Sequence, residues 1–118
     1  MDSLPREVEG ALYQALAPDQ VLTDQVSRVA FAPDASLYWY IPKAVVFPRN
    51  IADIQRLFAW SRAHAVPLTF RAAGTSLSGQ AVTDGVLVEV RRHWQRWQVL
   101  DGGQRVRSQP GVCAGLIN

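Results

Sequence analysis

Two near-continuous apolar runs, "KAVVFP" at 43–48 and "GVLVEV" at 85–90, constrain the fold of this chain more than any other feature. A strand with one wet face alternates apolar and polar residues; a strand apolar at nearly every position is covered on both faces. Between the runs stand a helical stretch, "IADIQRLFAWSRAHAV", and a short strand, "PLTF". Asn50 is placed to cap the helix, with Asp53 in its first turn. Ile51, Ile54, Leu57, Phe58, Ser61 and Ala65 form the predicted inner face, and Pro67 allows no continuation. Strand–helix–strand in about thirty residues predicts a parallel unit with a right-handed crossover. With "GVLVEV" added, the order is β-α-β-β.

The flanks read differently. "LPREVEGALYQAL" predicts a short amphipathic helix, with Pro5 in the first turn and Val8, Leu12, Ala15 and Leu16 on one face. Residues 18–43 carry three prolines and no clean period, so they read as mostly irregular, with one helical turn near Asp24–Arg28. The aromatic cluster "SLYWYIP" is expected to pack against the domain beyond it. Near the other end, "RWQVLDGGQRVRSQPG" alternates on both sides of Asp101-Gly102-Gly103, a hairpin signal that predicts the start of a second, antiparallel sheet. The fold class is therefore α+β, with an α/β-like first part. Residues 1–40 form a helix and irregular lead-in, and 41–118 the first part of a larger domain. "QPGVCAGLIN" stops as an apolar segment begins, and a truncated domain is expected on that ground.

Composition excludes more than it proposes. Twelve basic against ten acidic residues leave +2, too little to argue for nucleic acid. One cysteine, Cys113, excludes an internal disulfide and any all-cysteine metal or iron–sulfur site within these residues. The N-terminus lacks a basic stretch followed by an apolar one, and no apolar run of about 18 residues exists, so the default expectation is an intracellular soluble protein.

The chemistry-bearing stretch is "RAAGTSLSGQ", Arg71 to Gln80. Gly74 and Gly79 stand five apart, as in G-x-x-x-x-G-K-[ST], but Gln80 and Ala81 replace the Lys and hydroxyl residue that reach phosphate and magnesium. A dinucleotide fingerprint needs a third glycine and a helix directly after it, and here a strand comes next. A third design remains, in which a loop between two strands surrounds a diphosphate with its own backbone amides. Glycines let the main chain approach the oxygens, Thr75, Ser76 and Ser78 add hydroxyls, and successive amides form an anion-binding concavity. Each bond to a charged oxygen is worth roughly 1.5–3 kcal/mol, so four or five can replace a lysine. Arg71 either adds charge or forms a surface ion pair. On composition alone, a flexible turn of small residues explains the loop equally well.

From "DASLYWYIP" at Asp34 to "GVLVEV", with "RAAGTSLSGQ" as the most specific motif, the chain resembles the flavin-binding (PCMH-type) domain of the vanillyl-alcohol oxidase/p-cresol methylhydroxylase superfamily. It is most similar there to the FAD-linked D-lactate and related 2-hydroxy-acid dehydrogenases, which often carry a C-terminal iron–sulfur part. The resemblance implies that the loop holds the FAD pyrophosphate, with contacts at Arg71, Ala72, Ala73, Gly74, Thr75, Ser76, Gly79 and Gln80. It places Pro48 near the adenine end and Gly111 where the backbone again approaches the cofactor. Thr75 stands where covalent members commonly have histidine, which implies non-covalent FAD. The implied reaction is oxidation of a 2-hydroxy acid such as D-lactate, with electrons passed to a quinone, cytochrome or iron–sulfur acceptor. The implied location is the cytoplasm or the inner face of the membrane. Catalytic residues and cluster cysteines would lie past Asn118, leaving these residues alone inactive.

Other residues have plainer readings. His93 among arginines reads as a surface residue, and His64 suits a helix end; neither has a partner at metal spacing. "RRHWQRWQVLDGGQRVR" interleaves arginine with tryptophan, which leaves open a non-redox nucleotide or single-stranded nucleic-acid binding module, although Glu89 and Asp101 dilute the charge. Asp34 and Tyr38 belong to a "D-x-S-x-Y" lead-in read as structural, and Trp39 and Trp60 as packing residues.

Overall fold

The computed structural model describes residues 3–116, so the expected truncation at Asn118 lies outside the described residues. Three parallel strands carry the fold: β2 (Ala44–Val46), β3 (Leu68–Arg71) and β4 (Val86–Glu89). β4 lies in the middle, paired in parallel register with β2 through Val45↔Leu87 and with β3 through Phe70↔Val88. A two-residue strand, β1 (Val21–Leu22), adds antiparallel to β2, giving the order β1-β2-β4-β3. This strand falls in the stretch read as irregular. Its apolar pair is too short to show a period, and only the open edge of β2 makes it a strand.

Every residue of β2 and β4 is buried, as their composition requires. One face of the sheet, through Val46, Val86 and Val88, packs under helix α1 (Arg6–Ala15) and helix α3 (Ile51–His64), which contribute Leu12, Leu57 and Trp60. The other face, through Val45, Phe47 and Leu87, is covered by Leu22 and Phe31. Phe31 closes helix α2 (Gln25–Ala30), which contains the helical turn read near Asp24–Arg28. Each fully buried Val, Leu or Phe contributes roughly 1.5–3 kcal/mol. Gly85 lets β3 and β4 meet, because a Cβ there would stand 2.5 Å from the Pro67 carbonyl oxygen.

α3 forms as read at its start, where the Asn50 side chain accepts the Asp53 N–H at 2.9 Å. Its inner face is rotated from the predicted one. Asp53, Leu57 and Trp60 are buried, whereas Ile51 and Phe58 are 67% and 52% exposed and Ala65 is the exposed left-handed cap. Two polar anchors set the rotation. The Trp60 indole donates to the Val8 carbonyl of α1 at 3.0 Å, and Asp53 Oδ2 accepts from Gln20 Nε2 at 2.8 Å and the Arg49 amide at 2.9 Å. A periodicity reading scores Asp53 as solvent-facing and cannot see this.

"SLYWYIP" meets the expectation only in part: Pro42 is buried and the Tyr38 ring lies against Gly79, but the rest is largely outside. Leu37 is fully exposed, and Tyr38, Trp39 and Tyr40 are each more than half exposed. Trp39 is therefore no core residue, while Trp60 is. From Trp97 the chain forms a separate two-stranded antiparallel sheet, β5 (Trp97–Leu100) and β6 (Arg105–Ser108), around the predicted turn.

The rotated helix face makes a direct prediction: Leu57→Ala should cost about 2–5 kcal/mol in denaturant unfolding. Ile51→Ala, assigned to the same face by sequence, should stay within about 0.5 kcal/mol. Asp53 adds a pH prediction. Burial pushes its pKa up, but the Arg49 amide, Gln20 and Arg56 outweigh burial and hold it below the usual 3.8. A depressed carboxylate stabilises the fold above its unfolded pKa and loses that contribution as pH falls through the folded value. Asp53→Asn should therefore destabilise at neutral pH and flatten the loss of stability below about pH 4.

Candidate functional site

Parallel strands end on the same side of a sheet, so the segments after β2, β3 and β4 gather at one edge, where open α/β sheets bind ligands. Pro48 comes just after β2 and is buried. Its carbonyl accepts the Trp94 indole N–H at 2.8 Å. The Trp94 amide donates to Val90 after β4, the Val90 amide donates to Arg71 at the end of β3, and the Gly111 amide donates to Trp94 at 2.8 Å. Pro48, the 71–80 loop and Gly111, scattered in sequence, are thus joined through one bonded chain. At Gly111 the space a Cβ would need is filled by the carbonyl oxygens of Trp94 at 2.5 Å and Val90 at 2.6 Å. Packing of the chain against itself accounts for that glycine.

The loop after β3 is neither helix nor strand. Gly74 (φ +71°) and Gly79 (φ +81°) both hold the left-handed conformation that side chains disfavour. Among the described residues, the amides from Ala72 to Leu77 and that of Gly79 donate to no protein acceptor. The Thr75 and Ser78 hydroxyls are likewise without a partner among the described residues. Ser76 differs: its Oγ accepts the Ser78 amide at 3.3 Å and the Gln80 amide at 3.2 Å and bonds the Gln80 side-chain oxygen. Two amides of the loop are therefore committed internally, and Ser76 and Gln80 brace its second half. Six successive amides and a seventh remain, a surplus of donors suited to an anion.

Arg71 is neither the free charge nor the surface ion pair considered from sequence. It is 8% exposed, and its guanidinium points inward. Nε donates to the Ala81 carbonyl at 2.9 Å, one terminal nitrogen to Phe31 at 2.6 Å, and the other to Ala81 and to Ala32 at 3.5 Å. Burial lowers its pKa, opposed by the charges of Asp34 and Glu89. Asp34 sits in the same layer. Its Oδ1 accepts from the Ser36 hydroxyl and, at 2.7 Å, the Ser36 amide, while Oδ2 is buried without a hydrogen bond of normal geometry. The Ser36 hydroxyl holds the Asp34 pKa down against burial, with the Ser36 and Ala81 amides and the Arg71 charge adding to the effect. The sequence pointed to Arg71 and Asp34 singly; their shared layer, 37 positions apart in the chain, carries no sequence signal.

The remaining candidates stay apart from this edge or are occupied. His93 is exposed, and His64 lies against the Trp60 ring at 5.8 Å. No group of three metal-binding side chains forms among the described residues. Arg92 lies over the Phe47 ring at 3.7 Å, and Arg105 pairs with Asp101. Cys113 is exposed.

A parallel β-α-β-β sheet with a glycine-hinged, donor-rich loop at its strand ends, followed by an antiparallel hairpin, defines the class of a cofactor-binding α+β domain. Residues 42–117 match the family model described as FAD binding domain, and the chain belongs to that family. It is 40% identical over 100 residues to the D-2-hydroxyglutarate dehydrogenase of Escherichia coli K12, covering 81% of this chain and 10% of that protein. It is 30% identical over 112 residues to the glycolate oxidase subunit GlcD of Bacillus subtilis 168, covering 92% of this chain and 24% of the subunit. The chain thus spans about a tenth of the length of the D-2-hydroxyglutarate dehydrogenases of Pseudomonas putida and Escherichia coli, and about a quarter of that of Stutzerimonas stutzeri. Among solved structures, p-cresol methylhydroxylase with substrate bound superposes with a TM-score of 0.76 at 15% identity, over 94% of this chain and 23% of that one. The PCMH-type fold and the FAD-binding family expected from "RAAGTSLSGQ" are therefore borne out, the fold by the superposition and the family by the matching model. No described helix is long and apolar enough to cross a membrane.

Proposed function

We propose that the 71–80 loop holds the diphosphate of FAD by main-chain amides, as part of a flavoprotein that oxidises a 2-hydroxy acid to the 2-oxo acid. The carrying observation is the run of amides at Ala72–Leu77 and Gly79 that have no partner among the described residues, on a loop turned by two positive-φ glycines at a parallel-sheet edge. Such a cradle fits an anion that is narrow and oxygen-rich. Gly74 and Gly79 supply the positive φ that turns the loop, and the Thr75 and Ser78 hydroxyls add donors. Pro48 and Gly111, linked through Trp94, flank the same edge, Pro48 in place for the adenine end of the cofactor and Gly111 for a second approach of the backbone to it.

Bound flavin supplies a two-electron acceptor, and the protein's part is to orient it and exclude water. Thr75 offers no nucleophilic ring nitrogen, which favours non-covalent attachment. The names of the relatives support a short 2-hydroxy acid as the substrate class, with D-lactate as one candidate beside 2-hydroxyglutarate and glycolate. With one cysteine in these residues, an iron–sulfur acceptor would have to be held elsewhere, and a quinone or cytochrome is the alternative electron partner. Absence of a described membrane-crossing helix fits a cytoplasmic protein or one resting on the inner face of the membrane.

The loop is tested by Gly74→Asp in the complete protein as its gene encodes it. A carboxylate at φ +71° adds backbone strain of roughly 1–2 kcal/mol and repels a diphosphate at close range. Flavin absorbance of the purified variant should fall to background while its unfolding midpoint moves little. Full retention of flavin by that variant would place the diphosphate elsewhere.

A further inference from the structure

The segment before β2 and the loop after β3 are stitched together by contacts that the flavin-site reading does not use. The Ala35 amide donates to the Gly74 carbonyl at 3.0 Å. The Tyr38 ring lies over Gly79, so close that a Cβ there would stand 2.8 Å from the ring. The Arg71 guanidinium bridges the Phe31 and Ala32 carbonyls on one side and the Ala81 carbonyl on the other. The loop is thus tied near its middle by Ala35, near its end by Tyr38, and across its base by Arg71. It is a short segment without secondary structure of its own, which on composition would sample many conformations. The strap formed by residues 31–38 holds its backbone at these three places.

We propose that Arg71 is a positioning residue: its side chain locks the loop to the strap and presents the amides, without itself touching the diphosphate. The proposal rests on the reading of this loop as the diphosphate site, but it assigns the one conspicuous cation of the motif a task opposite to the one its charge suggests. The chemistry agrees with the choice of residue. A planar guanidinium has five N–H donors and can serve three carbonyls at fixed angles, whereas a lysine ammonium offers a point charge on a flexible stem. A cation meant for phosphate would be left facing the ligand. This one has its donors on main-chain oxygens and is 8% exposed.

The test uses the complete protein and the variants Arg71→Met, Arg71→Lys and Tyr38→Ala. FAD affinity is measured by fluorescence at low and high salt, beside denaturation midpoints and amide hydrogen exchange of the flavin-free forms. Arg71→Met should weaken FAD binding on the order of tenfold or more, with the salt dependence of affinity unchanged, because no ion pair with phosphate is lost. Arg71→Lys should not restore it. In the flavin-free protein both variants should speed exchange at Ala35 and Val82, whose amides bond to Gly74 and Gly79, while Val86–Val88 stay protected. A purely structural role would instead lower the midpoint and the affinity together. Rescue by lysine, a weaker salt dependence in Arg71→Met, or unchanged exchange at Ala35 and Val82 would each overturn the proposal. If Arg71→Met does not fold, Tyr38→Ala, at a half-exposed ring on the other side of the strap, should still speed Val82 exchange and weaken FAD severalfold; no change would count against the strap. If the unaltered protein takes up no flavin, the site reading fails, and the exchange arm still decides whether the strap exists.

Discussion

Parallel pairing of three short strands, with β2 and β4 buried on both faces, is the constraint on which the rest of the structure depends. Parallel strands need crossovers: α3 carries the chain from β2 past the central β4 to β3, residues 72–85 return it to β4, and the three strands end at a common edge. At that edge the chain leaves three strands at once and ladder pairing stops. The segment leaving each strand is then free to be something other than secondary structure. After β2 it is a proline and a helix cap; after β4 it is a turn held by Glu89, whose side chain accepts the Arg91 and Arg92 amides. After β3 it is a loop in which seven amides lack partners among the described residues. Of the three, the loop keeps the longest run of unused donors among the described residues.

Unpartnered amides are tolerated where water or an anion can reach them, and the loop has both the exposure and the geometry for either. Water would satisfy any outward loop. What singles this one out is that its shape is fixed from behind. Arg71, Ala35 and Tyr38 hold the backbone from the strap side, and Ser76 holds it from within. A loop fixed before the ligand arrives loses less conformational freedom on binding, which is the general benefit of preorganisation. On the proposed reading, this division of labour, side chains behind and main chain in front, is what would let a motif without lysine serve an anion.

Much of this was legible in the chain itself. The doubly covered strands announced themselves through "VVF" and "VLV", the Asn50 cap through its position before an apolar period, and the hairpin through Asp101-Gly102-Gly103. The loop was legible as glycines and hydroxyls in a fixed order, and its family through that order. The missing parts share a physical cause: each depends on a polar group buried by a distant partner. Asp53 turned α3 inward on its polar side through Gln20 and Arg49. Arg71 went inward because three carbonyls, two of them about forty positions earlier, offered it better partners than solvent. Composition tells which side chains tend to be buried, but not which buried polar group finds a partner.

The central claim, that main-chain amides rather than a side-chain cation hold the diphosphate, is tested most directly by a crystal structure of the complete protein with FAD bound. The account predicts at least four amide nitrogens from residues 72–79 within about 2.7–3.2 Å of phosphate oxygens. It also predicts the Arg71 guanidinium still on the Phe31, Ala32 and Ala81 carbonyls. A diphosphate seated on arginine side chains, with those amides turned to solvent, would contradict it.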